Sequence, residues 1–426
     1  MKIIILGAGI SGITTAYFLA KAGYQVVVLE QNLSSAMACS YANGGQLSFS
    51  HIEPWNSFFS LQNIFKNSVR KNSFFSLTDK KDWQFYKWAG QFLKNSGMKN
   101  SIKIAEKLHK ICSYSKLALS EILKEEKIDF DYKTNGILHF YRNQKNFNKA
   151  INLAKSYEKF SPANFEILDA VACVKKEATL IKLLDEHLLV GGIFYKNDAS
   201  GDCAQFANKL AAICQEKFGV VFEYDTEIKN IFTNYKTITG INTDNGVFTA
   251  DRYIYCLGAY GNSLLNGIGI KSGIYPIKGY SLSIPCSKSY LAPNLSITDS
   301  ENKIVYSRFG NIFRAAGTIE VAGLDNNFNQ KNIEFLKNTV RSTYSDFGDL
   351  KNAKEWFGYR PYTSDCLPII CKINKYGNLF INAGHGSLGW TNSFATARLT
   401  SELITKDKIN PHFDFLAKAE DDLYCE

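Results

Sequence analysis

The 426-residue sequence predicts a mixed α/β (α+β) fold, in which a discontinuous nucleotide-binding domain carries an inserted antiparallel-sheet domain. Three observations predict it. A strand–glycine turn–helix–strand unit opens the chain. A strand and a helix joined by a second glycine motif close it. Between them runs a series of short strands broken by turns.

Residues 2–6 (KIIIL) form an unbroken β-branched run suited to a strand buried on both faces. Gly7-Ala8-Gly9-Ile10-Ser11-Gly12 follows, a complete G-x-G-x-x-G. Ile13, Ala16, Tyr17, Leu19 and Ala20 then supply the apolar positions of a helix that Gly23 ends, and VVVLE returns as a second strand ending in Glu30. The glycines allow a tight turn and close backbone approach to a pyrophosphate, and the helix N-terminus offers N–H groups and positive dipole to that anion. Glu30, 18 residues beyond Gly12, stands where an acid binds a ribose 2′-hydroxyl and repels a 2′-phosphate. The unit is Rossmann-like. It points to a dinucleotide without separating FAD from NAD.

Residues 54–78 contain no acid and carry Phe58, Phe59, Phe65, Phe74 and Phe75 with Lys66, Arg70 and Lys71 among them. Paired aromatics with interleaved cations match a membrane-interface surface, and equally an active-site lid or a core-packing loop. Helical spacing follows at 80–96 and 101–126, strands near Phe130 and at 136–141, and a helix at 145–158. Residues 201–218 read as an amphipathic helix, and 220–224 and 252–258 as strands flanking polar hairpins. Hairpin strands continue at 279–284, 303–308 and 311–316, a helix lies at 331–344, and strand 379–383 leads into a helix at about 390–404. Between these last two, Gly384-His385-Gly386-Ser387-Leu388-Gly389 repeats the G-x-G-x-x-G pattern without a following strand or acid. Its helix N-terminus is expected to face another part of the same cofactor, where positive dipole stabilises a reduced, anionic flavin edge. A tight turn without ligand is the alternative.

Composition narrows the class. Lys+Arg exceed Asp+Glu by 49 to 40, giving +9, of which residues 54–78 hold +3. That balance implies an anionic partner, a lipid surface or a nucleic acid. The ten cysteines include no C-x-x-C pair, and the six histidines show no metal-ligand spacing, so zinc ribbons and disulfide scaffolds are excluded and no metal is expected. The N-terminal run, interrupted by Gly7, Gly9 and Gly12, does not read as a signal peptide, and an intracellular location is expected.

The stretches GAGISG, YANGGQLSFSHIEPW (41–55), NDASGDCAQF (197–206), YPIKGYSLSIP (275–285), GYRPYTSD (358–365) and NAGHGSLGWT (382–391) together resemble the flavin-dependent amine-oxidising family of glycine oxidase, sarcosine oxidase and the D-amino acid oxidases and dehydrogenases. The resemblance spans nearly the whole chain. It implies a discontinuous FAD-binding domain at 1–130, 162–265 and 361–426, and a substrate domain at 131–161 and 266–360. It implies FAD on Gly7, Gly9, Gly12, Glu30 and Gln31, with Ser40, Asn43, Gly44, Gln46 and Gly258 along the flavin and Ile228 at the adenine. Gly384, His385, Gly386, Ser387, Leu388, Gly389, Trp390 and Thr391 would meet the pyrimidine edge, and Lys278 would stand near the flavin.

The implied reaction is oxidative deamination of D-amino acids, with hydride leaving Cα for flavin N(5) and the imino acid hydrolysing to a 2-oxo acid and ammonia. Arg360 would bind the substrate carboxylate through its planar fork; a structural ion pair is the alternative reading. Tyr280 would add a hydrogen bond, and His51 completes the candidate catalytic set. No dedicated acid–base residue is required. The Asn43-Gly44-Gly45-Gln46 loop has glycine where the family pattern has another residue, and His51 and Glu53 replace uncharged residues expected there; those two positions bear on substrate preference. Electrons would pass to a quinone or other respiratory carrier, with the chain peripheral on the cytoplasmic side of the inner membrane. An oxidase that makes peroxide is the alternative. A tRNA-modifying domain and a non-catalytic flavoprotein fit less well.

Overall fold

The computed structural model describes residues 1–50, 53–55, 73–77, 82–158, 160–161, 164–286, 291–344 and 348–417. Strand β1 (Lys2–Leu6) lies inside a six-stranded sheet ordered β19-β20-β13-β1-β2-β9, formed with β2 (Gln25–Leu29), β9 (Val221–Glu223), β13 (Arg252–Tyr255), β19 (Ile369–Lys372) and β20 (Leu379–Ala383). All neighbours are parallel except β19 with β20. The position of β1 explains its composition. Ile3, Ile4 and Ile5 are wholly buried because helices cover one face of the sheet and a hairpin sheet the other, each side chain contributing roughly 1.5–3 kcal/mol.

Helix α1 (Ile10–Lys21) packs on α10 (Gly389–Lys406) and α7 (Cys203–Phe218), and α10 packs in turn on the long α3 (Met98–Glu126). On the opposite face lie Ile231, Ile238 and Ile241 of the hairpin sheet β10 (Ile228–Asn234), β11 (Thr237–Thr243) and β12 (Gly246–Phe248).

The second large layer is a nine-stranded sheet. Its path is β18 (Lys354–Tyr362), β14 (Tyr275–Pro285), β17 (Ile312–Val321), β16 (Ile304–Phe309), β15 (Ser296–Asp299), β5 (Ile137–Tyr141), β7 (Gly191–Tyr195) and β6 (Phe165–Asp169), with β4 (Phe75–Leu77) added beside β17. One face is sealed by Ile333, Leu336 and Val340 of α9 (Gln330–Thr343), by Cys173 of α5 (Ala170–Lys176) and by Leu183 of α6 (Ile181–Asp185). The other face roofs a cavity above the N-terminal glycine turn. A short pair, β3 (Gln46–Leu47) with β8 (Ala199–Ser200), ties the two layers together. Helices α2 (Trp83–Lys94), α4 (Gln144–Tyr157) and α8 (Asn262–Gly267) complete the described helices.

Two expectations change, and a third falls largely outside the described residues. Residues 165–169 and 191–195, assigned by sequence to the cofactor domain, hydrogen-bond into the nine-stranded sheet instead. Phe130 is fully buried but outside any strand. Of the aromatic–basic segment 54–78, Phe58, Phe59, Phe65, Lys66, Arg70 and Lys71 lie outside the described residues; Phe74, 2% exposed, and β4 turn inward against β17. No helix among the described residues is long and apolar enough to cross a membrane.

Candidate functional site

A cavity of about 750 Å³ runs from the β1–α1 turn, beneath the nine-stranded sheet, to the β20–α10 turn. At its first end Gly7 adopts φ +99°, a conformation that suits glycine, and its N–H donates to Leu29 O at 2.8 Å. A β-carbon on Gly12 would sit 1.9 Å from Gly7 O, so this glycine permits the helix to press on the turn. Gly12 stands back from the cavity wall, whereas Gly7 and Gly9 form it. Glu30 is buried at the end of β2. Its carboxylate accepts from Ala8 N–H at 2.8 Å and from Asn32 N–H at 2.9 Å, which fixes it at the wall. Gln31, Thr226, Glu227 and Ile228 continue that wall.

The segment from Ser40 to Ser48 stitches the turn to the roof. Ser40 Oγ accepts from Ile10 N–H at 3.1 Å, Asn43 Oδ1 from Gly45 N–H at 2.9 Å, and Gln46 Nε2 donates to Ser296 and Thr298 hydroxyls at 3.0 and 3.1 Å. Gly258 lines the middle of the cavity.

At the other end, His385, Gly386, Ser387, Leu388, Gly389, Trp390 and Thr391 reach the cavity, while Gly384 does not. Gly384 serves the turn itself: its φ is +80° and a β-carbon there would meet the Thr363 methyl at 2.7 Å. His385 is buried and bonds Thr396 Oγ1 at 2.9 Å. Burial pulls its pKa down to about 4, so the ring is neutral.

Arg360, on β18, pairs with Ile277 of β14 in register, and its side chain leans over Gly279, where a β-carbon would meet the guanidinium at 2.3–2.4 Å. It donates to Thr318 O at 3.0 Å and Gly317 O at 3.4 Å on β17, the next strand. The carbonyls are presented by an irregularity: Gly317 faces Tyr280 and Glu320 faces Lys278, leaving Thr318 and Ile319 opposite Gly279, with Thr318 at φ +59°. Among the described residues no carboxylate lies within 4.0 Å of Arg360, so the ion-pair alternative does not apply there.

Tyr280 and Lys278 take the other face of β14. The Tyr280 hydroxyl donates to Glu320 and accepts from Asn329 N–H, and burial followed by the Glu320 hydrogen bond raises its pKa. Tyr280 still contributes to the cavity wall, but its hydroxyl is taken up by Glu320 and Asn329. Lys278 is wholly buried, with its ammonium on the carbonyls of Asp325 and Asn327, and it does not line the cavity. His51 lies outside the described residues. Sequence reasoning missed Trp55 and Tyr362, whose rings meet at 4.6 Å beside Arg360, and missed β18 as a strand. An aromatic two residues beyond Arg360 was the available signal for Tyr362.

A dinucleotide fits these walls: a glycine turn at one end, a buried acid fixed at the wall at the end of β2, and a second helix N-terminus at the far end. The sequence model of the family described as FAD dependent oxidoreductase matches residues 2–403. The chain is 35% identical over 413 residues to a D-amino acid dehydrogenase of Granulibacter bethesdensis, covering 96% of this chain and 97% of that one. Its fold is similar to glycine oxidase from Geobacillus kaustophilus (TM-score 0.73, 16% identity, 98% of each chain). It is also similar to L-α-glycerophosphate oxidase from Mycoplasma pneumoniae with FAD bound (TM-score 0.67, 16% identity, 95% of this chain and 94% of that one).

Proposed function

The chain belongs to the FAD dependent oxidoreductase family, and from that premise we propose that it oxidatively deaminates D-amino acids to 2-oxo acids and ammonia, delivering the electrons to an acceptor other than oxygen. FAD is its cofactor. Gly7 and Gly9 receive the pyrophosphate, Glu30 and Gln31 the ribose and Ile228 the adenine. Ser40, Asn43, Gly44, Gln46, Gly258 and residues 385–391 surround the flavin. Bound FAD supplies the two-electron acceptor for the Cα–H bond. The six-stranded sheet forms the core of the cofactor domain, and the nine-stranded sheet is the substrate roof.

The observation that carries this reading is the roof arginine. Arg360 is anchored by two backbone carbonyls and has no carboxylate of its own among the described residues. A cation held that way receives an anion. Its remaining guanidinium donors match the two oxygens of an amino acid's carboxylate, which fixes Cα beneath the roof.

The acceptor is a quinone or other carrier at a membrane, reached by peripheral docking. Helix α2 and the start of α3 support this. Trp83, Tyr86, Leu93 and Met98 are 83%, 44%, 46% and 63% exposed. Lys87, Lys94, Lys99 and Lys103 are exposed among them, and residues 83–105 contain no acid. An aromatic–basic face of that kind suits an anionic lipid surface.

The test is anaerobic bleaching of the yellow protein by a panel of D- and L-amino acids, followed by reoxidation with oxygen or with an artificial quinone. Bleaching by D-amino acids and rapid reoxidation by the quinone alone are expected. No bleaching by any amino acid overturns the activity, and stoichiometric peroxide overturns the acceptor.

A further inference from the structure

Strand β17 changes neighbours beside Arg360. Its residues 312–316 pair with β16 and its residues 319–321 with β4, so Gly317 and Thr318 lie between the two ladders. The two carbonyls that receive the Arg360 guanidinium belong to this gap. The gap is also strained. Thr318 is β-branched yet holds φ +59°, and its buried hydroxyl finds no hydrogen-bond partner. A conformation of that cost persists only where the surroundings over-determine it. Arg360 restrains it from the cavity face of β14, and the opposite face carries a second restraint. Glu320, 2% exposed, follows the gap. Its carboxylate accepts from the Tyr280 hydroxyl and from Asn329 Nδ2 at 2.7 Å, and stands 4.0 Å from the Lys278 ammonium. Lys278 is pinned in turn, donating to Asp325 O at 2.7 Å with its ammonium 4.2 Å from the centre of the Phe357 ring. Lys278 and Tyr280 flank Gly279, the residue over which Arg360 leans.

We infer that Glu320 and Tyr280 are positioning residues for the carboxylate clamp, holding the Thr318 carbonyl where it anchors Arg360. The inference rests on the reading of Arg360 as the carboxylate site. Three residues of β14, 278–280, face four of β17, 317–320, and the extra residue is taken up as a bulge. Lys278 pairs with Glu320 and Tyr280 with Gly317, the residues on either side of that bulge. One carboxylate reached from both 278 and 280 therefore fixes the bulge at this point of the ladder. Without the tie the extra residue is free to slip along β17. Thr318 would then relax out of its positive φ and carry its carbonyl away from the guanidinium. A buried charged pair such as Lys278 and Glu320 adds little net stability, and setting register is the use that suits it. Neither positioning residue needs to touch the substrate: both act on it through β17 and Arg360.

The experiment measures kcat, KM and flavin content of the holoenzyme with an artificial acceptor and the D-amino acid that bleaches the flavin fastest. The variants are Tyr280→Phe, Glu320→Ala and Arg360→Ala, with each of the first two also combined with Arg360→Ala. Glu320→Ala is expected to raise KM by about 10-fold or more, since a 1 Å misplacement of a positioning group costs about 100-fold. Tyr280→Phe is expected to raise it by about fivefold, the worth of one hydrogen bond. Both should keep kcat and flavin content near those of the wild type. In the Arg360→Ala background neither should lower kcat/KM further, because a group that acts through Arg360 has nothing left to act on. A merely structural role would add its full effect in both backgrounds, and that outcome overturns the inference. An unaltered KM in Tyr280→Phe also overturns it. That variant loses one hydroxyl and keeps the packing, so it decides the matter even where Glu320→Ala fails to fold. A near-normal KM in Arg360→Ala itself overturns the carboxylate reading, and the inference with it.

Discussion

Gly279→Ala tests the roof arginine without touching it. The added methyl carbon would lie 2.3 Å from Arg360 Nη1 and 2.4 Å from both Cζ and Nη2. Favourable heavy-atom contact begins near 3.5 Å, so the guanidinium must withdraw by about 1 Å. That movement breaks the 3.0 Å bond to Thr318 O and the longer one to Gly317 O. A 1 Å misplacement of a substrate-positioning group costs about 100-fold in kcat/KM. The loss should appear mainly in KM, because the carboxylate clamp is displaced while the cofactor walls are untouched. The assay is steady-state kinetics with a D-amino acid and an artificial acceptor, alongside the flavin-to-protein absorbance ratio and the thermal midpoint. Full flavin content with kcat/KM within about threefold of wild type would refute the idea that Arg360 works from this position.

Other outcomes follow from the same geometry. Arg360→Ala should raise KM strongly and keep FAD bound; a near-normal KM would remove its assignment to the carboxylate. Gly12→Ala, with its methyl 1.9 Å from Gly7 O, should destabilise the β1–α1 turn by about 4 kcal/mol or more and yield protein depleted of flavin; denaturant midpoints and absorbance spectra check it. His385 is neutral in the fold with a pKa near 4 against 6.5 in the unfolded chain. The unfolded state therefore gains a proton first as pH falls, and roughly 2 kcal/mol of stability should be lost between pH 7 and 4.5. Denaturation of His385→Gln across that range should lack this share, and an identical pH profile would contradict it. Replacing Lys87, Lys94 and Lys99 by Ser should reduce co-flotation with anionic vesicles, and undiminished flotation would remove α2 from the docking surface.

The first βαβ unit was legible because its evidence is local. Three β-branched residues, a glycine turn and an acid at fixed offset describe a parallel strand, an anion site and a ribose contact within 30 residues. The Gly384–Gly389 turn was legible for the same reason. Strand β18 was not, because Gly358 and Pro361 read as breakers, yet both sit in the ladder opposite Gly279 and Pro276 of β14. Tyr280 and Arg360 were both legible as candidates, but only pairing reveals that they occupy opposite faces of the roof. A strand's side chains alternate, and sequence does not say which set faces the cavity.

The sequence by itself determined the cofactor class, the family resemblance and the residue types of the site, because glycine turns and their flanking strands are short-range constraints. The tertiary structure decided which of those residues meet. It set Arg360 over Gly279 against carbonyls of a third strand, and turned Lys278 and the Tyr280 hydroxyl to Glu320 on the other face. These are contacts between segments tens to hundreds of residues apart. They are fixed by sheet register and packing, which no local pattern encodes.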